Sequence, residues 1–231
     1  MIRRTLPFLL LLAIPSATAA QVGHLPEQSP FEDLRGRMAL TLAPGILAIA
    51  GDPAGVGPRS GLALSARYEF FLTGPLWLQS RFTYAPSLER TYKDPLFRGA
   101  ERFDGTSIRP HTILDFGIGL NLTGNKSWNR MVPQFHTAIG VVTGGTHEFD
   151  VGGYRFGTKM TYNYGFSLRY VTGREWEWHG DLTHQFWDYR YPESYRDEPT
   201  ANPTPILSNR SLTVWKGNLH LSLGVSRFFF R

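Results

Sequence analysis

From residue 61 onward apolar and polar side chains alternate with period two, the signature of strands whose two faces meet different surroundings. Leu62, Leu64, Tyr68, Phe70 and Leu72 interleave with Ser65, Arg67 and Glu69, and Leu76, Leu78, Phe82 and Tyr84 with Gln79, Arg81 and Thr83. Leu114, Phe116, Ile118, Leu120 and Leu122 oppose Asp115, Gly117, Gly119 and Asn121, and Phe135, Ile139 and Val141 oppose Gln134, His136 and Gly140. Further on, Met160, Tyr162, Tyr164, Phe166, Leu168 and Tyr170 oppose Lys159, Asn163, Ser167 and Arg169. Trp176, Trp178, Leu182 and Phe186 oppose Glu177, His179, Asp181 and Gln185. A first strand near 37–49 and a last near 211–229 complete a set of eight.

The apolar runs are punctuated by Thr-Gly pairs at Thr73, Thr123 and Thr172, spaced 50 and 49 residues apart. Glycine reaches positive φ without steric cost, so each pair predicts a tight turn. Four longer connections fall near 50–60, 87–107, 144–156 and 190–210. The repeating unit is one turn, two strands and one long loop. The fold class this predicts is all-β: an eight-stranded antiparallel up-and-down barrel. Pro44 lies inside the first strand, where it cannot donate to a ladder, and predicts a bend or bulge.

The amino terminus changes the picture of where such a barrel resides. Arg3 and Arg4, the apolar stretch LPFLLLLAIP and the small residues Ala17–Ala20 read as a cleaved secretory signal over 1–20. The domain reading is 1–20 signal, 21–36 an N-terminal periplasmic lead, and 37–231 the barrel. The 231 residues contain no cysteine, so an exported fold must be held by packing and hydrogen bonds. Formal charge is +5, of which Arg3 and Arg4 supply two, leaving too little basic excess to argue for nucleic acid. Aromatic residues make up 14% and there are 24 glycines, a strand-rich balance.

Alternation alone does not say which face is the core, since lipocalin-like carriers hide the apolar face and membrane barrels expose it. Three features favour the membrane. Polar positions are rich in Gly, Ser, Thr and Asn, as a crowded lumen requires. Short turns on one side and long loops on the other match a transmembrane barrel. Trp77, Trp176, Trp178 and Phe228–Phe230 near the turns, with Tyr84, Trp187, Tyr189 and Trp215 near the loops, are expected as interfacial girdles.

The ending LHLSLGVSRFFFR resembles the terminal strand of the small outer-membrane β-barrels of Gram-negative-type bacteria, the OmpA-like and OmpW-like group. It departs from that pattern in Arg231, after the aromatic run, and in Arg227, where an aromatic residue is usual. The resemblance implies porin-like architecture, location in the outer membrane, and as partners the barrel-assembly machinery, outer-membrane lipids and lipopolysaccharide. It implies a monomer and no cofactor.

The candidate sites follow from the same alternation. Arg67, Arg81, Lys159, Arg169 and Lys216 against Glu69, Asp115, Glu177 and Asp181 form a nearly balanced inward set, expected to pair as a lumen charge network that plugs the barrel. A narrow pore lined by the same charges is the alternative. His179, with His136 and His220, is expected in polar packing rather than at a metal. The stretch THEFD lacks the second histidine of a His-Glu-x-x-His zinc motif, because Val151 stands in its place. His184, Asp188, Glu193, Ser194 and Ser211 near the loop rim supply the residue types of a lipid A-modifying enzyme. The His-x-Ser-Asn signature of the deacylases is missing there, since QFWDY follows His184. No catalytic, cofactor or metal residue is assigned. Long loops on a rigid scaffold commonly carry binding, which makes Arg90, Lys93, Arg98 and Arg102 the candidate loop residues for lipopolysaccharide phosphates. The function expected is a structural or surface-binding role.

Overall fold

The computed structural model describes residues 29–34, 37–93, 104–145, 154–173, 175–196, 206–207 and 211–229. The chain divides into Met1–Pro30 and Phe31–Arg231, and the barrel lies within the second unit. The signal assigned to 1–20, the THEFD stretch and Arg98 and Arg102 lie outside the described residues. Strands are β1 (Phe31–Asp33), β2 (Met38–Ala48), β3 (Gly61–Thr73), β4 (Leu76–Lys93), β5 (Asp104–Asn121), β6 (Lys126–Trp128), β7 (Met131–Gly144), β8 (Thr158–Val171), β9 (Trp176–Arg190) and β10 (Thr213–Phe229). Eight of them form a closed antiparallel ring in the order β2, β3, β4, β5, β7, β8, β9, β10 and back to β2. The two short strands pair with each other at the turn end, Phe31 opposite Trp128.

Alternation sorts the side chains in an inside-out sense. Leu62, Phe116, Met160, Phe166, Trp178 and Leu223 point outward and are exposed, while Glu69, Arg81, Asn163, Arg169 and Asp181 are buried inside. A closed ring pairs every strand on both sides, and an apolar exterior is the arrangement a bilayer rather than water stabilises. Among the described residues no helix is long and apolar enough to cross a membrane; here the strands supply the apolar wall.

Four expectations need correction. The stretch 87–107 is not all loop, because β4 and β5 continue past the ring and pair as far as Lys93 opposite Asp104. Their ladder shifts by one residue between Ala85 and Leu88. This bulge at Pro86-Ser87 swaps the faces of β4, turning Leu88 and Arg90 inward after Arg81, Thr83 and Ala85. Trp77, Trp187 and Tyr189 do not join the girdles, since each is at most 1% exposed and faces the interior, and Phe228 does not either, since its ring packs on Trp77 inside. Trp176, Trp178, Trp215 and Tyr84 do face out.

Pro44 makes no bulge. Its pairing to β3 runs through Leu64, while pairing to β10 lapses between Leu42 and Gly45 and resumes in the same register. Gly224 sits opposite that lapse, where a Cβ would lie 2.1 Å from the Leu42 carbonyl oxygen. The Thr-Gly pairs are also unequal. Gly74 and Gly124 adopt φ of 50° and 70°, but the second connection is a longer excursion through β6, closed by Asn129 and Arg130 at positive φ.

Candidate functional site

The interior is stacked in three tiers. At the turn end, Arg169 on β8 lies over two neighbouring rings, its guanidinium carbon 5.0 Å from the centroids of Trp77 and Phe228. Its Nε donates to Glu177 at 2.6 Å. Glu69 is fully buried beside these charges, near Arg169 and Arg67.

The middle tier is built around Asp181 on β9. One carboxylate oxygen accepts from Arg67 of β3 and from the Ser167 hydroxyl of β8, the latter at 2.7 Å. The other accepts from Arg81 of β4 at 3.3 Å and from Thr183 at 2.5 Å. Arg81 also donates to Asp115 of β5 at 3.1 Å, and Arg67 approaches Nε2 of His179 at 3.1 Å. His136 on β7 meets Thr183 at 3.0 Å. Side chains from β3, β4, β5, β7, β8 and β9 are thereby tied across the lumen. Buried ions in so narrow an interior need such partners, because desolvation is otherwise uncompensated. Ser167, His136 and Asp181 have the residue types of a nucleophilic triad, but Ser167 donates straight to Asp181 and all three are at most 4% exposed.

Above the ion pairs the walls of the barrel change character. Leu47, Leu88, Ile113, Val142, Phe156, Trp187 and Tyr189 form a buried apolar tier, continued by Tyr154, Tyr191 and Tyr195 from the loops. Phe156 packs edge-on against Trp187 at 6.3 Å, and Tyr189, Tyr191 and Tyr195 stack in succession at 6.4 Å. Polar ties hold this cap down. Arg90 donates to the Tyr154 carbonyl at 2.7 Å, Lys93 to the Ala54 carbonyl at 2.8 Å, and the Tyr195 hydroxyl to the Lys93 carbonyl at 3.1 Å. Asp52 accepts the backbone N–H of Ala54, Val56 and Gly57 and the hydroxyl of Tyr191, the last at 2.9 Å. Burial, and then the Asp52 charge, push the Tyr191 phenol above its ordinary range and keep it a donor.

Seven of the nine residues expected in the charge network occupy the lower two tiers: Arg67, Glu69, Arg81, Asp115, Arg169, Glu177 and Asp181. Lys159 belongs to the cap instead, with its ammonium over the Phe156 ring at 5.4 Å. Lys216 is half-buried and makes no ion pair among the described residues. Of the loop candidates, Arg90 and Lys93 are strand residues spent on holding the cap, because the Pro86-Ser87 bulge turns Arg90 inward. That proline, where the alternation breaks, was the one signal in the sequence for this tier.

The strand register does not bring His184 and Ser211 of the rim together. His184 faces outward opposite Leu219, well down β10 from Ser211, whose hydroxyl donates to the Thr213 carbonyl. At about 3.3 Å per strand residue, some 25 Å separates His184 from Ser211. Asp188 is taken up by Arg190 at 2.5 Å. Among the described residues no cluster of His, Cys, Asp and Glu could hold a metal ion.

No protein family and no curated protein matches the chain. Among solved structures it is similar to the outer membrane protein OprG from Pseudomonas aeruginosa, at 9% identity over 85% of this chain and 98% of that one, with TM-score 0.49. Neisserial surface protein A is similar at 9% identity over 87% and 98%, with TM-score 0.47. Escherichia coli outer membrane protein W is similar at 9% identity over 84% and 98%, with TM-score 0.45. These are small outer-membrane barrels, and the chain has the same class of architecture, a closed eight-stranded ring read from its own strand pairing.

Proposed function

We propose that the protein is an outer-membrane barrel whose lumen is closed to ions, with a structural or surface-binding role carried at its loop end. The observation that supports a closed lumen is Asp181, which joins Arg67 and Arg81 from the facing wall between an arginine-aromatic tier below and an aromatic cap above. An ion would have to break a buried pair and then displace packed rings. The exposed apolar exterior supports the membrane, and the resemblance of the closing strand supports export and assembly there. Lipopolysaccharide and the barrel-assembly machinery are the partners this reading carries. With Arg90 and Lys93 committed to the cap, Arg98 and Arg102 are the remaining candidates for phosphate contact.

The test is single-channel recording of the refolded mature chain in a planar bilayer, with folding checked by a heat-dependent gel shift. A folded barrel without conductance steps is expected. Steady voltage-dependent steps would overturn the closed lumen and favour the narrow pore.

A further inference from the structure

The outward wall of the barrel carries a polar pair, Tyr164 and His184, among apolar neighbours. His184 on β9 lies opposite Tyr164 on β8 and Leu219 on β10, between Leu182 and Phe186 along its own strand. An ionisable side chain on a lipid-facing wall is costly and calls for a partner. Protein supplies half of one: the Tyr164 hydroxyl and His184 Nδ1 are 3.2 Å apart. The imidazole also packs on Phe186 at 4.3 Å, and Phe186 stacks on Tyr164 at 5.8 Å. On the other side the ring is seated over Gly217, where a Cβ would come 2.3 Å from Nε2. Glycine at 217 is what lets the imidazole lie against the wall.

Counting donors shows what this pair still needs. A phenol has one O–H and a neutral imidazole one N–H. One hydrogen bond joins them and consumes one donor. If the phenol donates to Nδ1, the Nε2 hydrogen remains. If Nδ1 donates to the phenol, the O–H remains. Protonated imidazole would leave still more. Either way a donor is left over among Leu182, Leu219, Phe166 and Phe186, where an unsatisfied polar group is expensive. Hydrocarbon offers nothing to accept it. The acceptor a lipid carries just beneath its headgroup, at the root of its acyl chains, is an ester carbonyl.

We propose that the Tyr164–His184 pair is a binding site for the acyl-ester carbonyl of a lipid in the leaflet at the loop end, with the acyl chain lying along the adjoining aromatic and leucine side chains. The inference rests on the membrane reading above and adds a specific lipid contact to it. The site holds a lipid and does no chemistry on it.

The test is nitrogen-15 and carbon-13 NMR of histidine- and tyrosine-labelled protein in nanodiscs of ester-linked phosphatidylcholine, compared with its ether-linked analogue of equal chain length. The ether lipid lacks the carbonyl and little else. The ring signals of His184 and Tyr164 should differ between the two lipids, while those of the buried His179 and His220 stay put. Identical His184 and Tyr164 signals in both lipids would overturn the proposal. So would rapid exchange of the remaining donor proton with water in both, which would put the pair in solvent. Failure of the folded barrel to enter either nanodisc would instead overturn the membrane reading.

Discussion

The middle of the barrel interior and its loop end are packed with opposite materials. In the middle, Asp181, Arg67, Arg81 and Asp115 are tied by charge-assisted hydrogen bonds. At the loop end, Phe156, Trp187, Tyr189 and Tyr191 belong to a buried cluster of rings. The first is held together by groups that are costly apart and stable only together; the second by groups that gain from every contact independently. Damage should therefore spread through the middle tier and stay local in the cap.

Asp181→Ala is the largest test of that difference. It removes the shared partner of Arg67 and Arg81, and stripping one member from a buried ion pair costs about 3–5 kcal/mol. Urea unfolding of the barrel in lipid vesicles should show a loss of that size. Trp187→Ala opens the cap and should cost about 3–4 kcal/mol, in the range of large-to-small aromatic truncations. NMR signals of His136 and His179, in the tier below, should hardly move in this variant, whereas Asp181→Ala should shift both.

Arg90→Gln sharpens the comparison at the junction of strand and cap. It withdraws the hydrogen bond to the Tyr154 carbonyl and should cost about 1–3 kcal/mol, read as faster amide exchange at Tyr154–Gly157 with the strand ladders protected. The smallest effect is that of alkaline pH. Burial and the Asp52 charge raise the Tyr191 phenol above its ordinary pKa of 10.0, so the folded state holds that proton more tightly than the unfolded chain. The cap's stability is therefore whole below pH 10.0 and declines as pH rises above it. A pH titration followed by tyrosinate absorbance should show the Tyr191 phenol ionising at higher pH than the same phenol does in the urea-unfolded chain.

The two tiers also differed in how far the sequence revealed them. Arg67, Arg81, Asp115, Arg169 and Asp181 sit on strands of unbroken alternation, so their inward direction could be read by counting in twos. Their partners could not, because cross-lumen contacts depend on strand tilt and stagger, which period-two patterns do not carry. The cap was illegible for two reasons. The bulge at Pro86-Ser87 reverses the count, so Leu88 and Arg90 read as loop. Tyr154, Phe156, Tyr191 and Tyr195 come from segments without periodicity, whose placement depends on the finished barrel beneath them. Trp77 and Trp187 read as girdle residues because a tryptophan near a strand end suits a girdle by composition, although their odd positions in strand count face inward.

The claim on which the rest stands is the sorting of alternate side chains between a lipid face and a sealed interior. Single-tryptophan variants retaining either Trp178 or Trp187 test it most directly, with fluorescence recorded in vesicles containing brominated lipid. Trp178, 52% exposed on the outer wall, should be strongly quenched, and Trp187, 1% exposed within the cap, should be quenched far less. Equal quenching of the two, or stronger quenching of Trp187, would contradict the account.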